Sequence, residues 1–462
     1  MLSDTLCRHI AATPFEAISP AALANTRLAL LDAVGVMLAA SGMSAEAAPF
    51  AALAIAGTGP AVLLGRSERT SPALAAFANG ALAHALDFED TFDAAPCHPN
   101  AALIPAVLAL AATQPTSGRQ LLTAMAIGCD LTCRIALSLT HPMTGWYHPP
   151  ILGAFGATAA AARVLGLDAT ATRSALSLAL CQATAPAEIK YSAGTTIRAI
   201  REAFPAQAAV VSAQLAQGGV VGFEAPFEGR GGFFQIFAGG GYDEGVLTDG
   251  LGTIFHGGDL TFKRWPACRG THAYIEAALR LRERPGFDWR RITAATVVVG
   301  EVQQMLVTPV DRKQAPATSI DAKFSIFYTT ALALVRGEVG LDDFDAASLS
   351  DVDVLALAAR MIARFEPRAV PTAIGGVVEL VFEDGVAVEA AVPIAIGHPS
   401  RPVAMPDMIE KFVACAARAA VPWSRPAALR LADRLLAVDD CNDVSALFHG
   451  VVSEGERVEP LR

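Results

Sequence analysis

Between His84 and Ala111 the chain reads HALDFEDTFDAAPCHPNAALIPAVLALA, which gathers three Asp, one Glu, two His and a Cys. That is unusual in a sequence of 462 residues with only 17% charged side chains. Carboxylates and imidazoles are the groups that take up and release protons near neutral pH, so the stretch could carry acid–base chemistry. Taken alone, it fits a solvated acidic loop with a capping His equally well.

Two further segments repeat the theme. GWYHPPILGAFGATAAAARVLG sets His148-Pro149 directly before a small-residue helix, as His98-Pro99-Asn100 precedes an apolar one. A helix start offers free backbone N–H groups and the positive end of the dipole, which favour an anion. FKRWPACRGTHAYIEAALRL then places Lys263, Cys268 and His272 ahead of another Ala-rich helix. Lys is scarce, five residues (190, 263, 313, 323, 411) against thirty Arg, so Lys263-Arg264 reads as a possible carboxylate clamp.

The elements that must position these residues are mostly helices. Ser19-Pro20 and Ser71-Pro72 are N-cap and first-turn signals, each followed by apolar residues at helical spacing. Further helices are expected near 105–113 and over 119–139, 151–165, 169–182 and 203–217, with a long Gly-rich loop region at 216–241. After Arg269 the texture changes. RITAATVVVGEV and GGVVELVFEDGVAVEAAVPIAI are β-rich, the latter a hairpin turning at Asp384-Gly385. Helices are expected between these strands at 321–336 and 350–365, and Ala-rich helix returns over 405–450. The fold class is therefore mainly α with an α+β part: 1–265 and 400–462 as an all-helical domain, 266–399 as the α+β domain.

Composition limits the partners. The formal net charge is −10 without a basic cluster, which argues against nucleic acid and anionic membranes. Mean hydropathy is high at +0.41, yet no run reaches the roughly 18 uninterrupted apolar residues of a membrane span. The excess is expected to fill a large core and a subunit interface. Eight scattered Cys without a Cys-x-x-Cys, and a start that is not a secretory signal, predict reduced thiols in the cytoplasm.

The order HALDFEDT, HPNAALIPA, GWYHPPILGAFGATAAAARVLGLD, FKRWPACRGTHAYIEAAL and DAKFSIFYTTALAL resembles the MmgE/PrpD family over residues of about 5–450. That family includes 2-methylcitrate dehydratases, cis-aconitate decarboxylases and iminodisuccinate epimerases. The resemblance implies a large all-helical domain, a smaller α+β lid domain, a homodimer, no metal or organic cofactor, and an active site between the domains. Carried over residue by residue, it implies catalytic roles for His98, His148, Lys263, Tyr328 and Asp90. Asp87, His272, Arg198 and Arg201 would bind substrate, while Glu89 and Asp93 would face water.

All three family reactions move a proton at carbon next to a carboxylate. Such a site must neutralise the carboxylates and place an acid and a base near that carbon. The resemblance therefore implies a cofactor-independent lyase acting on a small di- or tricarboxylate, nominally a 2-methylcitrate-type hydro-lyase. An epimerase or decarboxylase of a related acid is the runner-up. One segment departs from the family pattern: where its members often carry TKxxHxGxAA, this chain has TIRAIREAFPAQAA. Arg198 stands at the usual Lys and Arg201 at the usual His. A fixed guanidinium fork favours carboxylate binding over proton transfer, which keeps a non-catalytic carboxylate-binding protein in view.

Overall fold

The computed structural model describes residues 1–448 apart from positions 96, 193 and 371. The chain divides into two units, Met1–Ala85 with Glu89–Leu260 and Ala404–Arg462, and Leu86–Phe88 with Thr261–Val403. The fold is mainly α with a small mixed sheet, as the sequence patterning implies. The division draws Lys263, and Asp87 from the acidic stretch, into the second unit.

The first unit is built from α1 (Pro20–Met43), α2 (Pro72–Ala85), α3 (Leu103–Ala111), α4 (Gly118–Ser138), α5 (His148–Val164) and α6 (Ala203–Gln217). Ser19 caps α1 by accepting from the Ala22 N–H, with Pro20 in the first turn. Small residues allow the helices to meet backbone to backbone. A methyl group on Gly156 of α5 would lie 1.9 Å from Thr132 Oγ1 and 2.4 Å from the Gly128 carbonyl of α4, so no side chain fits there.

Both α1 and α4 are long and apolar enough to cross a membrane, but most of each is wrapped by other parts of the chain. Their charges are satisfied internally. Asp32 of α1 pairs with Lys411 at 2.6 Å, tying in the Met405–Ala416 helix. Arg134 of α4 bonds Asp130 at 2.7 Å and donates to the carbonyls of Val246, Asp249 and Ile254.

The second unit holds a four-stranded sheet: β1 (Ile292–Val299), β2 (Met361–Phe365), β3 (Gly376–Phe382) and β4 (Ala387–Val392), in the order β2-β1-β3-β4. β2 runs parallel to β1 with Ala295 opposite Met361, and β3 and β4 add antiparallel. The β3–β4 turn uses Gly385 at φ 78°, the left-handed conformation expected of Asp-Gly. Two helices of this unit matter below, α7 (His272–Arg282) and α8 (Ile326–Arg336).

Several sequence expectations need correction. The helix expected over 350–365 stops at Arg360, because 361–365 pair with β1, and sheet pairing overrides helical spacing. The helix expected over 321–336 breaks at Ser325, whose hydroxyl caps α8 by accepting from the Tyr328 N–H. The Gly-rich loop contains a short helix, Phe233–Ala238, because Phe233, Phe234 and Phe237 find buried partners. The C-terminal helical reading resolves into Met405–Ala416 and Arg425–Leu436, and its last two residues, 449 and 450, lie outside the described residues.

Candidate active site

In the first unit the acidic stretch folds inward. Gly80 and His84 share one face of α2, and a methyl group on Gly80 would lie 2.7 Å from the Glu202 carbonyl at the start of α6. That approach sets His84, fully buried, against Arg201, whose guanidinium bonds the His84 Nε2. On its other side His84 Nδ1 bonds Glu89 Oε1, and His98 Nδ1 lies 2.8 Å from the same oxygen. The two imidazoles meet edge to face with centroids 4.9 Å apart. Arg201 Nε is 3.1 Å from Glu202, whose carboxyl is pushed above the usual range by burial.

Glu89 was expected to face water and does not: it is 1% exposed at the centre of this cluster. His98 keeps 15% side-chain exposure and reaches the edge of the cluster. Asp90 is buried behind them, with Asn100 donating to it at 2.9 Å. Burial pushes its carboxyl up to about 7, so it titrates around neutral pH instead of staying fully ionised.

A second group surrounds Tyr147. Lys190, Arg198 and Arg201 place their charged ends 5.3, 5.9 and 5.1 Å from the centre of its ring. Three cations around one ring raise the local positive potential, which favours anions. The next residue, His148, opens α5 and is half-buried. Arg201 belongs to both groups and joins the imidazole–carboxylate cluster to the cationic one.

The second unit holds Lys263, fully buried, donating to Asp87 Oδ1 at 2.6 Å and to the Asp87 carbonyl at 2.8 Å. Asp87 is the non-glycine residue with positive φ, at 50°, among the described residues. Asp tolerates that conformation better than most side chains, and strain of this kind gathers at functional sites. His272 is buried against Trp265 at 5.3 Å, with Nε2 3.1 Å from the Ala267 carbonyl. Tyr328 lies in the core of this unit and donates to the Ser348 carbonyl at 3.0 Å. Burial raises its phenol well above the ordinary range. A catalytic role for Tyr328 would require those bonds to open.

The structure thus brings His98 and Arg201 into one cluster, places Arg198 beside it, sets the His148 ring 6.3 Å from that of Tyr147, and pairs Asp87 with Lys263. Sequence reading passed over His84, Glu89, Glu202 and Tyr147. The signal for the first two was the His-x4-Glu spacing across a helix end. Glu202 and Tyr147 carry no comparable mark.

By spacing, His84, Glu89 and His98 could hold a divalent cation, their ligand atoms lying within 4.8 Å of one another. Arg201 opposes it, because a guanidinium already bonded to His84 repels a second positive charge there.

Residues 4–244 match the family model described as MmgE/PrpD N-terminal domain, and residues 265–433 match MmgE/PrpD C-terminal domain. The chain belongs to the MmgE/PrpD family. Among relatives it is 27% identical over 399 residues to human cis-aconitate decarboxylase, covering 83% of this chain and 80% of that one. It is 25% identical over 397 residues to the mouse cis-aconitate decarboxylase, covering 83% and 79%. A cis-aconitate decarboxylase-like protein of Aspergillus oryzae is 27% identical over 317 residues, covering 64% and 65%. The split between the two MmgE/PrpD models, after residue 244 and before 265, brackets the unit boundary at Leu260.

Proposed function

We propose that this protein is a lyase that decarboxylates a small unsaturated polycarboxylate of the cis-aconitate type. The observation that carries the reading is the convergence of His98 and Glu89 with a cationic group that includes Arg201. The names of the relatives support the reaction type.

A polycarboxylate drawn to Lys190, Arg198 and Arg201 has its charges partly neutralised. When the C–C bond to the leaving carboxylate breaks, CO2 departs and the electron pair remains on the substrate, spread toward its neighbouring carboxylate. Cationic residues stabilise that charge, and an acid must then protonate carbon. His98 is the group for this step: Glu89 holds Nδ1, so Nε2 takes a proton from solvent, giving the imidazolium, and delivers it to carbon. His148 at the start of α5 is the second acid–base group. The reaction needs no redox partner, since the electrons of the broken bond end in the new C–H bond.

The test is NMR in deuterated water with cis-aconitate, 2-methylcitrate and an aminodicarboxylate as parallel substrates. The proposal expects CO2 loss and one deuterium placed on carbon. Water loss from the hydroxy acid instead would replace it with the dehydratase reading, and exchange without loss of either fragment with an epimerase. Thermal stabilisation by these acids without turnover would make the protein a carboxylate-binding homologue.

A further inference from the structure

We propose that Arg201 is a positioning residue that fixes the proton tautomer of His84, whose Nδ1–H shares the Glu89 oxygen that holds His98. This rests on the reading of His98 as the proton-transfer group. A guanidinium is always protonated and only donates. Because Arg201 Nη1 bonds His84 Nε2, that nitrogen must accept, and the ring proton must sit on Nδ1. His84 Nδ1–H then donates to Glu89 Oε1, which therefore acts as a carboxylate acceptor. His98 receives the same instruction from two sides. Its Nδ1 faces the Asp90 carbonyl at 3.3 Å and Glu89 Oε1 at 2.8 Å, and both are acceptors, so Nδ1 holds the hydrogen. Nε2 of His98 is left with the lone pair that takes and returns a proton.

The arrangement is buried where it must be rigid. His84 and Glu89 are 0% and 1% exposed, and Arg201 is 2% exposed. Arg201 is itself held by Glu202 and by the Arg198 carbonyl, to which it donates at 2.9 Å. The guanidinium at the usual family His position therefore does two jobs: it adds to the cations around Tyr147, and it sets an imidazole that touches no substrate. A neutral His at 201 could present either a donor or an acceptor to His84. An Arg presents only donors.

The tautomers are read without substrate, by two-dimensional 15N NMR of protein labelled at histidine. His84 and His98 signals are assigned from His84→Gln and His98→Gln. In the unaltered protein both rings are expected as the Nδ1–H form, the minor tautomer of imidazole in water. Arg201→Met is expected to release His84 to the Nε2–H form or to exchange between the two, whereas Arg201→Lys, which still donates, keeps Nδ1–H. In turnover, Arg201→Met is expected to lower kcat by at least about tenfold, and Arg201→Lys to recover most of it. A His84 signal of Nε2–H form in the unaltered protein overturns the proposal whether or not the variants fold. So does an unchanged Nδ1–H signal in Arg201→Met, with the loss appearing in KM alone. If the tautomers are as stated and no acid is turned over, the proposed function fails and only the assignment of the His84 tautomer to Arg201 stands.

Discussion

At the scale of single residues, a side chain that acts on substrate and one that only holds it respond differently to substitution. His98→Asn is expected to lower kcat by about 10²–10⁴-fold, the usual worth of a positioned acid–base group, in a steady-state assay of CO2 release. Glu89→Gln leaves the ring in place but presents an amide that can donate as well as accept, and a smaller loss in kcat with KM unchanged is expected. Lys263 is different. Sequence reading makes it a carboxylate clamp, but its ammonium is buried on Asp87. Lys263→Ala removes the ammonium that balances a buried carboxylate and is expected to cost about 3–5 kcal/mol in urea unfolding. Pairing it with Asp87→Asn should return much of that stability. The residues whose types are rare here, His and Lys, were legible in the sequence. Glu89 was not, because one acid among four in a run looks solvated until its neighbours are folded around it.

At the scale of elements, the site depends on how closely α2 approaches the start of α6. Gly80 marks that approach, since a methyl group there would meet the Glu202 carbonyl at 2.7 Å and the Ala203 Cα at 3.0 Å. Gly80→Ala is expected to destabilise the protein by about 1–3 kcal/mol through overpacking. It should also loosen the Arg201–His84 bond, so the His84 15N signal should broaden in the folded variant. Gly145 has open space around it, but its φ is 81°, so Gly145→Ala is a control for backbone strain without a clash. Helix ends with a capping residue, such as Ser19, were readable because the cap is local. The strand Met361–Phe365 was not, because its partner Ile292–Val299 lies some sixty residues away and nothing local demands a sheet.

At the scale of the whole molecule, the buried acids make stability depend on pH. Asp90 moves from 3.8 to about 7 on folding, so the folded state binds the proton more tightly than the unfolded chain. Stability from this group is full below about pH 4, falls as pH rises toward 7, and is flat above it. At about 1.4 kcal/mol per unit, the whole effect is at most about 4 kcal/mol. Asp90→Asn should remove that slope in urea midpoints measured from pH 4 to 8, and an unchanged slope would place the titration elsewhere.

We also propose a homodimer. Leu53 and Phe204 are 56% and 50% exposed, and Phe204 meets Phe77 at 5.6 Å, an apolar surface suited to a second copy. Light scattering should then give twice 47.9 kDa. The mixed fold and the family order were legible over the whole chain, whereas the choice among reactions depends on a few side chains that no composition or spacing marks. The most direct test is therefore chemical. Purified protein in deuterated water is given cis-aconitate and followed by NMR. The account predicts release of CO2 with one deuterium on carbon, lost in His98→Asn. Turnover unchanged in that variant, or no reaction in the unaltered protein, would contradict it.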